Sequence, residues 1–242
     1  MIKNVLNVLL SLFILLGCSN SKGVNKLYVG TNAEFDPFEY REGDIIVGFD
    51  IDFIKAVGEI IGKEVEIVDI AFDGLLPALQ SKKIDLIIAG MTATEERKKF
   101  VNFTDPYYNS KQAILVNSDN LDITSIDNLE GKRIGVVLGF TGELIASNIE
   151  NATIQQFNAT SETILALKNN KVDAVILDYE PAKAYSKVNN DIKLVDTKLE
   201  QEEYAIAIRK EDTELLNKIN DAILTLKENG TYDKLLSTYF EN

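Results

Sequence analysis

From residue 26 onward, short β-rich runs alternate with stretches whose apolar residues recur at helical spacing. Residues 26–30, Lys-Leu-Tyr-Val-Gly, read as a strand closed by a glycine turn. Residues 50–61 place Ile51, Phe53, Ile54, Val57, Ile60 and Ile61 at helical spacing, with Gly62 positioned to end the helix. Residues 65–68 predict a strand, 73–81 a short helix, 84–89 a buried strand and 94–99 another short helix. The alternation then restarts, with strands over 133–137, 153–157 and 172–177 and helices over 141–149 and 160–169. Such alternation predicts parallel sheets with helices on their faces. The tail differs: a strand over 204–208, a long helix over 213–228, and a last helix to about Phe240 after Asn229-Gly230-Thr231.

The restart carries an internal echo. Residues 78–90, Ala-Leu-Gln-Ser-Lys-Lys-Ile-Asp-Leu-Ile-Ile-Ala-Gly, resemble residues 166–178, Ala-Leu-Lys-Asn-Asn-Lys-Val-Asp-Ala-Val-Ile-Leu-Asp. Each is a helix end, a basic turn and an apolar strand opened by Ile-Asp or Val-Asp. The echo and the restart together predict two similar α/β lobes. Ligands of open α/β sheets lie beyond the carboxyl ends of strands. The two echoing strands end at Gly90 and Asp178, so those positions are expected to meet at a cleft.

The first 17 residues are of another kind. After Lys3, residues 5–16 are apolar except for Asn7 and Ser11, too short a run for a membrane-spanning helix of ~20 residues and suited to an export signal. Leu15-Leu16-Gly17-Cys18 resembles the lipobox of bacterial lipoproteins, which are cleaved before the cysteine and lipidated on it. Cys18 is the single cysteine of the chain, so an internal disulfide is excluded. Residues 1–17 are therefore expected to be a signal peptide and 18–25 a polar tether. With 25 Lys and Arg against 38 Asp and Glu, the net charge of -13 argues against nucleic acid as a partner.

At the first strand end, Gly90-Met91-Thr92-Ala93-Thr94-Glu95-Glu96-Arg97 offers Thr92 or Thr94 as a helix cap, and Thr92 with Glu95 fits a capping box. Free N–H groups at a helix start and the planar fork of Arg97 suit a carboxylate. Capping alone, with Arg97 on a solvated face, would also account for these residues. At the second strand end Asp178 could pair with an ammonium, or could cap the helix that follows. Gly139-Phe140-Thr141-Gly142-Glu143 is a further strand-to-helix turn that could meet an anion. Taken together these pieces suit a zwitterion, whose two charges could not enter a dry cleft unpaired.

Over residues 26–240 the chain resembles the extracellular solute-binding proteins of polar amino-acid ABC importers, the group that takes glutamine, histidine, lysine and arginine. The matching segments are 29–39 (Val-Gly-Thr-Asn-Ala-Glu-Phe-Asp-Pro-Phe-Glu), 47–52 (Val-Gly-Phe-Asp-Ile-Asp), 72–80 (Phe-Asp-Gly-Leu-Leu-Pro-Ala-Leu-Gln), 83–97, 103–108 (Phe-Thr-Asp-Pro-Tyr-Tyr) and 228–232 (Glu-Asn-Gly-Thr-Tyr). The resemblance implies an α/β type II periplasmic-binding fold: two lobes joined by two hinge strands, the first over 26–108 plus 205–242 and the second over 109–204. It implies that Arg97 and the backbone at Thr92 and Thr141 hold an α-carboxylate, and that Gly90, Thr92 and Asp178 hold the α-ammonium. Phe35 and Phe72 would sandwich the side chain, with Asn32, Ala89, Val137, Gly139 and Leu177 nearby. The implied partners are a free L-amino acid, the membrane subunits of an ABC importer, and the membrane itself through a lipid on Cys18, with the chain a monomer in the cell envelope. No metal or cofactor is expected.

One departure bears on the ligand. Basic amino-acid binders and the glutamine binder carry an acid where this chain has Asn32, which is neutral and both donates and accepts. A cationic side chain would lack a partner, so a neutral ligand such as glutamine is expected, with Glu34 and Glu39 facing solvent. Two rivals share the fold. A dehydratase-like enzyme would need an acid or base; the chain has no histidine, and Glu180 is the extra carboxylate to watch. A free-standing sensor would pass closure to a signalling partner instead of an importer.

Overall fold

The computed structural model describes residues 25–195 and 201–240. The expected signal peptide, Cys18 and the tether as far as residue 24 lie outside the described residues. In chain order the elements are β1 (Lys26–Thr31), β2 (Glu34–Phe35), β3 (Glu39–Glu42), β4 (Ile45–Val47), α1 (Phe49–Ile61), β5 (Glu64–Asp69), α2 (Phe72–Gln80), β6 (Leu86–Ile87), α3 (Glu95–Lys98), β7 (Val101–Phe103) and β8 (Tyr108–Asn117). Then come β9 (Arg133–Val137), α4 (Thr141–Ser147), β10 (Thr153–Phe157), α5 (Thr160–Lys168), β11 (Ala174–Asp178), α6 (Tyr179–Val188), β12 (Ile192–Val195), β13 (Gln201–Tyr204), β14 (Ala207–Arg209), α7 (Thr213–Glu228) and α8 (Thr231–Phe240). No helix among the described residues is long and apolar enough to cross a membrane.

These elements build two lobes around two sheets of matching design. The first sheet runs β5-β1-β6-β14-β7 and the second β10-β9-β11-β8-β12. In each, three parallel strands are followed by two strands paired antiparallel. A small antiparallel sheet, β2-β3-β4, is added to the first lobe. Helices face the sheets because their apolar stripes must be covered. On α1 the residues Phe49, Ile51, Phe53, Ile54 and Val57 are fully buried, whereas Ile60, expected on that face, is exposed. Gly62 ends α1 in the left-handed conformation at φ 69°, as its position predicts.

The internal echo is structural to the level of single hydrogen bonds. In the first copy Lys82 N donates to Leu79 O and Lys83 N to Ala78 O; in the second Asn170 N donates to Leu167 O and Lys171 N to Ala166 O. Lys82 and Asn170 both take positive φ, 61° and 55°. Asp85 Oδ2 accepts from Tyr28 N at 2.9 Å, and Asp173 Oδ2 accepts from Arg133 N at 2.9 Å. Each aspartate thus satisfies a backbone donor on the neighbouring parallel strand, Tyr28 in β1 and Arg133 in β9, just before the ladder between the two strands begins. The same turn delivers β6 and β11 into the middle of their sheets, and so delivers Gly90 and Asp178 to the carboxyl ends.

The chain passes from the first sheet to the second at Tyr108 and returns after Tyr204. There β8 and β13 pair antiparallel, with Tyr108 opposite Tyr204 and Lys111 opposite Gln201. These two strands connect the lobes. Tyr107, just before β8, and Tyr204, at the end of β13, are buried, and Tyr204 packs on Tyr108, Phe38 and Phe35.

Candidate functional site

Between the lobes lies a small cavity lined by Phe35, Phe72, Ala89, Gly90, Thr92, Arg97, Phe140, Thr141 and Asp178. Its walls close on about 10 Å³, near the least space that holds one water. Eight of these nine residues were candidates from the sequence, and they come from seven segments separated by up to 143 positions. Arg97 and Asp178 therefore share one enclosed space, the arrangement a dipolar guest requires.

Arg97 belongs to α3, where Thr94 is the cap: its hydroxyl accepts from Arg97 N at 3.2 Å. The Thr92–Glu95 box expected from the sequence does not form, and Thr92 is left for the cavity. The Arg97 guanidinium donates to Thr92 O at 2.7 Å and, across the cleft, to Gly139 O at 2.8 Å, and lies 5.2 Å from the Phe72 ring centre. Burial lowers its pKa to about 10, against the pull of Glu202 and Asp178, which raise it. It stays charged at neutral pH.

Asp178 sits at the start of α6, yet its side chain makes no cap. It is 3% exposed and accepts from the Tyr204 hydroxyl at 2.5 Å. An aspartate that forgoes its capping bond to sit in a buried cavity is placed for another partner. Burial, reinforced by the charge of Glu202, pushes its carboxyl up to about 7. A cation beside it would restore ionisation.

Gly90 takes φ 52°, and a Cβ there would lie 2.3 Å from the Phe35 ring, so both conformation and space demand glycine. Its N–H is held at 3.0 Å by Asp50, which also accepts from the Tyr107 hydroxyl at 2.7 Å. Burial raises Asp50 to about 6. Glu39, expected to face solvent, is fully buried against Asp50 because β3 turns that side chain inward; burial and the charge of Asp50 lift it well above the ordinary carboxylate range. Glu34 does not face solvent freely either: it accepts from Ser161 N and Oγ at 3.2 and 3.1 Å, across the cleft.

Four candidates stand back from the cavity. Val137 is buried in the second lobe, Gly139 supplies the carbonyl that Arg97 grips, and Asn32 is half-buried at the end of β1. Leu177 is likewise buried in β11. Glu180 pairs with Lys183 at 3.5 Å and is not among the cavity residues.

Two residues escaped the sequence reading. Phe140 lines the cavity; its position between Gly139 and Thr141 was the available signal. Glu202 of β13 accepts at Oε2 from Thr92 Oγ1 (2.8 Å), Thr141 Oγ1 (2.9 Å) and Gln112 Nε2 (3.3 Å). It thereby ties a hydroxyl of each lobe to a connecting strand. Nothing local distinguishes Glu202 from Glu203, so only the fold reveals it.

The profile of the bacterial extracellular solute-binding proteins, family 3, matches residues 27–242. The chain belongs to that family. It is 39% identical over 233 residues to the arginine-binding extracellular protein of Bacillus subtilis (strain 168), an alignment covering 93% of this chain and 91% of that one. An ancestral arginine-binding protein, solved bound to arginine, superposes with a TM-score of 0.85 at 45% identity, covering 89% of this chain and 98% of that one. An ancestral arginine-binding protein solved bound to glutamine gives a TM-score of 0.85 at 44% identity, covering 90% of this chain and 99% of that one. An ancestral amino-acid-binding protein that is a precursor of cyclohexadienyl dehydratase gives 0.83 at 39%, covering 89% and 96%. The family 3 protein described here thus has the type II periplasmic-binding fold, and its relatives are amino-acid-binding proteins.

Proposed function

We propose that this family 3 protein captures a free neutral amino acid outside the cytoplasm, of which glutamine is the leading example, and delivers it to the membrane subunits of an ABC importer. The observation that carries the reading is the single cavity with a guanidinium from one lobe and a buried carboxylate from the other. Arg97, with the backbone at Thr92 and Thr141, holds the α-carboxylate. Asp178, with Gly90 and Thr92, holds the α-ammonium. Phe35 and Phe72 flank the side chain, and Asn32, Ala89, Val137 and Gly139 shape its surroundings. The lobes divide at 108/109 and 204/205, so a guest that bridges them favours closure, and the closed form is what the importer reads.

Neutrality is supported by the lining. Asp178 is the single acid among the cavity residues, and it is committed to the ammonium. Glu39 is buried against Asp50, outside the cavity lining, and Glu34 is engaged with α5. The Glu202 carboxylate behind the lining is taken up by Thr92, Thr141 and Gln112, so a guanidinium or second ammonium would be desolvated without a counter-charge of its own, a cost of several kcal/mol. Relatives that bind arginine make this the sharpest point to test.

Binding without turnover is supported by the same lining, since Glu180 lies outside it and the chain contains no histidine. The chain is proposed to act as a monomer, anchored by lipid on Cys18 after loss of residues 1–17. A thermal-shift screen of the lipid-free chain against the common amino acids tests the function. Stabilisation by at least one neutral polar amino acid is expected, of about 2.7 kcal/mol at a hundredfold excess over Kd. Tight binding of arginine or lysine would refute neutrality; a flat response to every amino acid would refute the function. Turnover of a prephenate-like substrate would favour the enzyme instead.

A further inference from the structure

A carboxylate of the first lobe caps a helix of the second. Glu34 Oε2 accepts from Ser161 N at 3.2 Å and from Ser161 Oγ at 3.1 Å. Ser161 is the second residue of α5, and Ala159, at the cap position, offers the helix no side-chain bond. A capping side chain of the helix's own would take the N–H of the second or third residue. Here Glu34 takes it, from 127 positions away. Its charge also lies at the end of the helix where a negative group is favoured.

Glu34 is fixed to its own lobe. It lies in β2 opposite Tyr40 of β3, and its N–H donates to Asn32 O at 2.8 Å. The bond to α5 therefore forms only when the lobes come together. In this it matches the reach of Arg97 to Gly139 O across the cleft. It differs in position, because neither Glu34 nor Ser161 is among the cavity residues. Arg97 meets the guest and the far lobe at once, whereas Glu34 meets the far lobe alone. With the lobes apart, its carboxylate and the Ser161 N–H are both left to water.

We propose that Glu34 is a positioning residue for closure, a helix cap supplied from the opposite lobe that holds α5 against the first lobe and so prolongs the residence of a bound amino acid. The inference rests on the amino-acid reading above and deepens it, because it concerns how long the guest stays and not which guest enters. The latch forms after the guest is in place, so it acts on release and leaves capture unchanged. One helix cap is worth about fivefold in an equilibrium constant.

Capture and release are timed by stopped-flow tyrosine fluorescence of the lipid-free chain, with L-glutamine first and then each common amino acid that the wild type binds. The variants are Glu34→Ala, Glu34→Gln, Ser161→Ala and Glu34→Ala combined with Ser161→Ala, and melting curves check that each is folded. Glu34→Ala should raise the release rate about fivefold and leave the capture rate within about twofold of the wild type. Glu34→Gln, which keeps a carbonyl acceptor without the charge, should fall between the two. Ser161→Ala, which keeps the N–H, should give a smaller rise in the wild type and none in Glu34→Ala, since both changes break one contact. A lowered melting temperature with an unmoved release rate would mean that the cap serves the fold alone, and would overturn the latch. A Ser161→Ala effect undiminished by the loss of Glu34 would overturn it too. A wild type that binds no common amino acid would overturn the amino-acid reading and the latch with it.

Discussion

Replacing Asp178 with asparagine keeps its shape and removes its charge. The carboxylate is 3% exposed and has Tyr204 as donor, so a guest ammonium meets it out of water. Removing one partner of a buried ion pair costs about 3–5 kcal/mol. The carbonyl of Gly90 and the hydroxyl of Thr92 remain as acceptors, which favours the lower end, and at pH 8 an affinity loss of about 150-fold is expected, at 1.36 kcal/mol for each factor of ten. The pH profile makes the test specific. In the free protein burial holds the Asp178 carboxyl up to about 7, so below that pH binding an ammonium must expel a proton. Affinity should then fall by about 25-fold from pH 7.5 to 5.5, for a bound-state pKa below that range. Asp178→Asn should lose this slope together with the affinity. Stability should report the same group with opposite sign. A carboxyl raised above its unfolded value stabilises the ligand-free fold below about pH 4, and that contribution is lost as pH rises through about 7. Saturating ligand should cancel the decline, as should the asparagine. Calorimetric titration and melting curves across pH 5–8.5 measure both. A slope that survives in Asp178→Asn would refute the assignment of the ammonium to this residue.

Arg97→Ala should weaken amino-acid binding by at least a hundredfold in titration while the protein still melts cooperatively, because α3 retains its Thr94 cap; retained affinity would move the carboxylate site elsewhere. Gly90→Ala should reduce affinity at least tenfold, since its Cβ would fall 2.3 Å from the Phe35 ring at a φ of 52°; an unaltered Kd would show that this turn does not touch the guest. Glu202→Gln should lower the pH midpoint of binding, because the charge of Glu202 helps raise Asp178; an unmoved midpoint would confine Glu202 to holding Thr92 and Thr141. Cys18→Ser should release the protein from the membrane fraction on cell breakage, and its continued sedimentation with membranes would refute the lipid anchor.

Much of the fold was legible because its determinants are local. Alternating strand and helix periods, the glycine at 62 and the doubled helix–turn–strand unit are properties of short windows, and each reappears as an element or a hydrogen bond in the described chain. The site was legible for a related reason: α/β topology brings strand ends together, and the echo pointed to two such ends, Gly90 and Asp178. Short antiparallel strands such as β2, β3 and β7 left no period long enough to read.

What the sequence by itself determined is the inventory: two copies of one α/β design, an arginine after one strand end and an aspartate after the other, and the aromatic residues that flank them. What only the tertiary structure decided is partnership. Whether Asp178 caps α6 or turns to Tyr204, whether Thr92 or Thr94 caps α3, and whether Glu39 meets water or Asp50 each depend on groups outside the local element, from 11 to more than 100 residues away. The same holds for Glu202, which reaches one hydroxyl in each lobe, and for Phe140, whose ring neighbours Phe35 and Phe72 lie in the opposite lobe. Burial and pairing are sums over the whole packed molecule, and no window of sequence contains them.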